Sequence, residues 1–164
     1  MFLDRSGYLE EANMTFSFSP IRDESGAVGG VFHPITETTA VVLGARRTQC
    51  LRDLSASLAE ARTISEIGEQ VERHGAQLSD DVPFLLFYQI DAASGELQLR
   101  GRAGLPEGCP LAPEVLSMDD ACWPFARANA SHAAEQVDDV AARLLGQACG
   151  PYEEPPRSAL VLPL

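Results

Sequence analysis

Residues 16–32, FSFSPIRDESGAVGGVF, begin only fifteen residues into the chain and read as two β-strands joined by a turn. Phe16, Ser17, Phe18 and Ser19 alternate apolar with polar, Arg22 to Gly26 are turn-forming, and Val28 to Phe32 resume an apolar strand. A two-stranded hairpin is marginal in water because it lacks a buried face to rest on. Upstream there is room for one more strand, around Gly7 to Met14, so further partners of this sheet are expected outside the 164 residues.

In HPITETT, residues 33–39, Pro34 is expected to end the ladder, and the threonines offer hydroxyls for capping a helix. From Thr39 to Arg62 the residues are helix formers apart from Gly44. Leu51, Leu54, Leu58 and Ala61 recur at spacings of three, four and three, the seam of a short coiled coil. Arg46, Arg52, Asp53 and Glu60 lie on the opposing face. Thr63-Ile64-Ser65-Glu66 then has the form of a capping box, which predicts a second helix with the stripe Ile64, Ile67, Val71 and Leu78, ending near Gly75 to Ser79. One continuous helix from 40 to 78 is the alternative.

PFLLFYQI (83–90) is an apolar strand, DAASG a turn, and ELQLRGRAGL (96–105) a strand pairing back, with Leu97, Leu99, Gly101 and Ala103 alternating against polar partners. Asp119 and Asp120 are expected to cap a short helix through Cys122, Trp123 and Phe125 to Ala128. Val137, Val140, Ala141, Leu144 and Leu145 have helical spacing, although 133–138 reads equally as a strand. SALVLPL closes the chain as an apolar strand, also with its partners expected elsewhere and its edge open to pairing. These elements make an α+β fold.

Composition narrows the function. Net charge is -12, and most of the excess falls after residue 64, where sixteen acidic side chains face six arginines, so a phosphate backbone would be repelled and nucleic acid is not an expected partner. No run of about 18 apolar residues could span a bilayer, and the N-terminus lacks the basic-then-apolar layout of a signal peptide, so a cytoplasmic location is expected. Cys50, Cys109, Cys122 and Cys149 form no CxxC pair and have no histidine at ligand spacing; reduced, mostly buried thiols are expected, with no metal.

FSFSPIRDESGAVGGVF followed by ITETT resembles the C-terminal end of a PAS domain, whose last strands read as an aromatic-Ser-x-Ser-Pro-Ile segment, an Asp-x-x-Gly turn and a valine-rich strand before an exit helix. Such exits often carry an Asp-Ile-Thr triplet; here Pro34-Ile35-Thr36 stands in its place, without that aspartate. Residues 63–164 resemble the first part of a GAF domain. The order is similar to that of bacterial multidomain sensor histidine kinases. The resemblance implies a PAS-type terminal hairpin in 1–38, a signalling helix in 39–62 and a partial GAF-type antiparallel sheet with helices in 63–164. It implies a non-catalytic segment passing conformational signals from PAS through the helix to GAF. A homodimer would form through the seam Leu51, Leu54 and Leu58, upstream of a kinase core. A stand-alone GAF-type small-molecule-binding module acting on another protein is the alternative.

The residues themselves carry little catalytic chemistry. His33, His74 and His132 precede proline, glycine and alanine, not the acidic residue of a phosphorylatable histidine box, and Gly26, Gly29 and Gly30 lack the strand-to-helix setting of a nucleotide loop. Ser131 and His132 lie near Asp138 and Asp139, but adjacency in sequence is not triad geometry. Asp80-Asp81 and Glu153-Glu154 read as solvated acidic turns. The GAF resemblance implies a ligand region around Cys122, Trp123 and Phe125, for an unidentified small ligand and no known cofactor; no cysteine is followed by the histidine of a bilin site. Read structurally, Trp123 anchors its short helix on the sheet.

Overall fold

Glycines bring the second helix onto the sheet at backbone distance. A Cβ placed on Gly68 would lie 1.8 Å from the Arg100 carbonyl oxygen, and one on Gly101 would lie 2.7 Å from the Gly68 oxygen. A Cβ on Gly75 would lie 2.1 Å from that of Ala103. These positions belong to a computed structural model that describes residues 1–5, 7–147, 149–151 and 154–164. The architecture is mixed α/β, with several short antiparallel sheets and helices. Its elements fall into two units, Met1–Gln49 and Cys50–Leu164.

In the first unit β1 (Phe2–Asp4) pairs with β2 (Leu9–Glu11), β3 (Met14–Phe16) with β6 (Ile35–Glu37), and β4 (Ser19–Arg22) with β5 (Val28–Phe32), all antiparallel. The segment ahead of the hairpin thus holds two strands and the start of a third, not one. The β4–β5 ladder stops at Phe32, ahead of Pro34, as expected; the Pro34 carbonyl still accepts from Ser17 N at 3.4 Å, and pairing resumes with Phe16 opposite Ile35. β3–β4 and β5–β6 therefore keep one register. Alternation places Phe16, Phe18, Pro20, Val31, His33 and Ile35 on one face. On that face Phe18 stacks on His33 with centroids 4.1 Å apart, and Phe16 meets both edge-on. Phe18 remains 65% exposed, and Ala12 is the one buried residue among those described in this unit.

The turn between β4 and β5 is closed by Asp23, whose carboxylate accepts from Ser25 N, Ser25 Oγ and Ala27 N at 2.6–3.0 Å, with Gly26 at φ 84°. Helix α1 (Thr39–Glu60) follows and runs through the division between the units.

A break at residues 61–63 separates α1 from α2 (Ile64–Leu78), which excludes one continuous helix. The capping box forms as read: Thr63 Oγ1 accepts from Glu66 N at 3.2 Å and Glu66 Oε2 from Thr63 N at 3.3 Å. Its buried face differs from the predicted stripe. Val71 is buried, but beside Gly68 and Gly75, while Ile64 is exposed. Small residues win there because the helix approaches the sheet too closely for large ones.

That sheet is β7 (Leu85–Ile90), β8 (Leu97–Ala103) and β9 (Val115–Leu116), in order β7-β8-β9. A bulge between Phe87 and Tyr88 pairs them with Gly101 and Leu99, leaving Arg100 as the extra residue. The bulge shifts the alternation by one, so the predicted single apolar face of β8 divides. Leu97 and Leu99 turn to the core, and Gly101 and Ala103 to α2. Beyond the sheet come α3 (Phe125–Ser131), β10 (Glu135–Val137), α4 (Val140–Arg143) and β11 (Ala159–Val161). The strand reading holds in 133–138 and a short helix follows. Leu145 falls outside it, at φ 52° and exposed. β11 finds a partner within the chain, Leu160 opposite Gln136, which corrects the expectation for this end.

The core lies on the sheet face away from α2, where Leu97, Leu105, Leu111, Leu116, Trp123, Val137, Val140, Leu144 and Val161 pack together. Gly68→Ala is therefore expected to cost ~3 kcal/mol in denaturant unfolding through overpacking. Gly44→Ala, on α1 with nothing within 4 Å of its added Cβ, should instead be neutral or stabilising by up to ~1 kcal/mol.

Candidate functional site

Three places bear on function, and each follows from local chemistry. The first is the joint between the ribbon and α1. Glu37, the last residue of β6, takes a bidentate ion pair from Arg5 at 3.0 Å on both oxygens, and Thr39 Oγ1 donates to it at 2.8 Å. Thr39 Oγ1 also receives Asn13 N at 3.0 Å and Thr38 Oγ1 donates to Asn13 O at 3.3 Å, so the two threonine hydroxyls tie the helix start back to the residue before β3. Arg46, almost two turns along α1, pairs with Glu11 of β2 at 2.8 Å. Glu37 directly follows the Pro34-Ile35-Thr36 triplet, and its pairing could not be read from sequence spacing because Arg5 is thirty-two residues away. The Arg5 hydrogen bonds, then that from Thr39, hold the Glu37 carboxyl at about 2.

The second place is the turn leading into α3. The predicted helix start is corrected: Cys122 and Trp123 lie before the helix, which begins after Pro124, and Asp120 closes a turn by accepting Cys122 N at 2.7 Å. Asp120 sits too far upstream to cap a helix whose first residue is Phe125. Trp123 is only 4% exposed; its ring lies 6.1 Å from Phe84 and its N–H donates to Leu111 O at 2.9 Å. Cys122 Sγ donates to Pro110 O at 3.7 Å, and burial, then the Asp120 charge, push its thiol up. It is a thiol and not a thiolate nucleophile at neutral pH. Phe125 meets Tyr88 edge-on at 5.2 Å, and the Tyr88 hydroxyl donates to Pro113 O at 2.8 Å.

Outside this packing lies an open cleft of about 290 Å³ lined by Asp120, Trp123, Arg127, Gln136, Asp139 and Arg143, among others. Of the three residues singled out from sequence, Trp123 lines it; Cys122 and Phe125 do not. The polar residues from β10 and α4 were not legible because their approach to α3 depends on β10 pairing with β11. The cleft's guanidinium groups are engaged by the chain itself. Arg127 pairs with Glu135 at 2.7 Å, and Arg143 pairs with Asp139 at 2.8 Å while donating to Cys122 O. Ser131 and His132 form no triad: Ser131 Oγ donates to Ala128 O at 3.5 Å and receives Ala133 N, and His132 ends α3 at φ 50°. Asp80 and Asp81 sit in the turn after α2, and Glu153 lies outside the described residues.

The third place is the seam. No described residue of α1 is buried; Leu51 is 62% exposed, and Leu54 and Leu58 are half-buried. Cys50 and Ser57 bond to α2 at Gln77, Gln70 and His74, and Leu54 shares their helix face, so the three leucines divide between an α2-facing stripe and a free one. Cys109 and Cys149 are buried, Cys50 and Cys122 half-buried, and all four are free thiols, so half and not most of them are buried. No helix among the described residues is long and apolar enough to cross a membrane.

The depressed Glu37 value sets a pH window. The pair's contribution is complete above the ordinary carboxylate range and is lost as pH falls from about 4.5 toward 2. Carboxyl NMR should place the Glu37 midpoint near 2, and Arg5→Ala should return it toward 4.5. An unchanged midpoint in that variant would remove Arg5 as the cause.

Set against protein-family models, curated proteins and solved structures, the chain matches none of them.

Proposed function

We propose that this chain is a non-catalytic sensory and signal-relay segment of a sensor histidine kinase, with PAS-type C-terminal strands, a signalling helix and the N-terminal part of a GAF-type domain. The observation that carries the reading is α1. It has 22 residues, about 33 Å of helix, without one buried side chain among those described. The part of α1 in the second unit meets its own chain on the face toward α2, which leaves its other apolar stripe to be covered by a partner. Leu51 with the half-buried Leu58 offers that surface to a second copy.

Two further features support a relay. The helix start is bonded to the strands by Glu37, Thr39 and Arg46, so strand displacement would pull on the helix. The helix end stops at a capped break, so a change in α1 packing is passed to α2 and, through Gly68, to the sheet. The relay is favoured over the stand-alone ligand module because the cleft near Trp123 is at the small end for ligand sites and its arginines already hold carboxylates.

The test is disulfide cross-linking in the intact, signal-competent protein with the four native cysteines replaced by alanine. Leu51→Cys should link subunits readily, and Arg52→Cys, about 100° around the helix, should not. No Leu51 cross-link, or equal linking at both positions, would overturn the parallel-dimer reading.

A further inference from the structure

The part of α1 in the second unit lies antiparallel to α2: Cys50 Sγ reaches Gln77 O at 3.8 Å, and Ser57, two turns on, meets Gln70 and His74. The protons in that second contact can be assigned. Arg73 is donor-only, so the Gln70 atom that it meets at 3.2 Å is the amide oxygen. The Ser57 hydroxyl lies 2.5 Å from the same oxygen and donates to it. Ser57 Oγ is left with lone pairs for His74 Nε2 at 3.0 Å, so Nε2 carries a hydrogen. His74 Nδ1 faces the Gln77 side-chain amide at 3.3 Å, which accepts from an N–H as placed and, turned over, donates to a bare nitrogen. The interhelical bond therefore persists in both protonation states, and in the imidazolium it becomes charge-assisted, roughly twice as strong.

We propose that His74 is a proton-controlled clasp, which tightens the C-terminal half of α1 onto α2 when its ring is charged. The surroundings divide by element. From α1, the acidic groups nearest in sequence are Asp53 and Glu60, one turn to either side of Ser57. From α2, Arg73 opposes it, with its guanidinium turned to Gln70. Cys50 stands at the far end of the contact. Histidine is the side chain whose charge ordinarily changes between about pH 5 and 8, which sets the two pH values of the test. It is a property of the α1–α2 contact and does not rest on the sensory reading.

Thermal unfolding of the whole chain at about pH 5.5 and 7.5 tests it, with Ser57→Ala removing the acceptor and His74→Gln keeping a donor that cannot titrate. The Tm difference between wild type and Ser57→Ala should be larger at the lower pH, although the Ser57–Gln70 bond that is also lost contributes equally at both. In a His74→Gln background the effect of Ser57→Ala should be independent of pH. Nitrogen NMR of the neutral ring should show the Nε2–H tautomer. Equal Tm differences at both pH values, or an Nδ1–H tautomer, would overturn the clasp.

Discussion

The contact between Gly68 of α2 and the Arg100–Gly101 backbone of β8 is the constraint on which the second unit is built. Two glycines let main chain meet main chain where any side chain would collide, and Gly75 repeats the device two turns on against Ala103. The bulge at Arg100 makes this possible. It moves the small residues Gly101 and Ala103 to the helix side while Leu97 and Leu99 stay on the core side. With one face of the sheet closed by a helix, the other is free to carry the core, and Trp123, tied to Leu111, holds the start of α3 there.

Among its described residues the first unit shows no such closing contact. Its ribbon has a regular register, a well-formed Asp23 turn and an aromatic face, yet Phe16, Phe18, Val31 and Ile35 remain exposed. Beyond its ladders and aromatic stack, ion pairs join its elements: Arg5 with Glu10 and Glu37, and Arg46 with Glu11. Exposed pairs of this kind contribute little to stability, though they orient well.

Local signals were legible in the sequence wherever chemistry acts over three or four residues. The Thr63–Glu66 capping box, the β4–β5 turn and the β7–β8 hairpin all follow from adjacent residues. What could not be read depends on distant partners. The stop of the β4–β5 ladder ahead of Pro34 follows from the loss of its donor, which is visible in sequence, whereas the resumption of pairing at Phe16–Ile35 is not. The stripe of α2 was misjudged because apolar periodicity rewards large residues, and only the sheet's proximity makes Gly68 and Gly75 the buried ones. Of the proposed ligand residues, Trp123 reaches a cleft, but the polar residues around it come from β10 and α4, whose placement rests on pairing with β11.

The chain shows a contrast in cohesion, with a sheet locked to α2 and a helix and ribbon that bury little. Native-state amide hydrogen exchange measures that contrast directly. Amides of α2, β7 and β8 should exchange slowest, through global opening, while those of α1 and of the Phe16–Phe32 ribbon in the isolated chain exchange orders of magnitude faster. Protection in the ribbon and α1 equal to that in β8 would contradict the account.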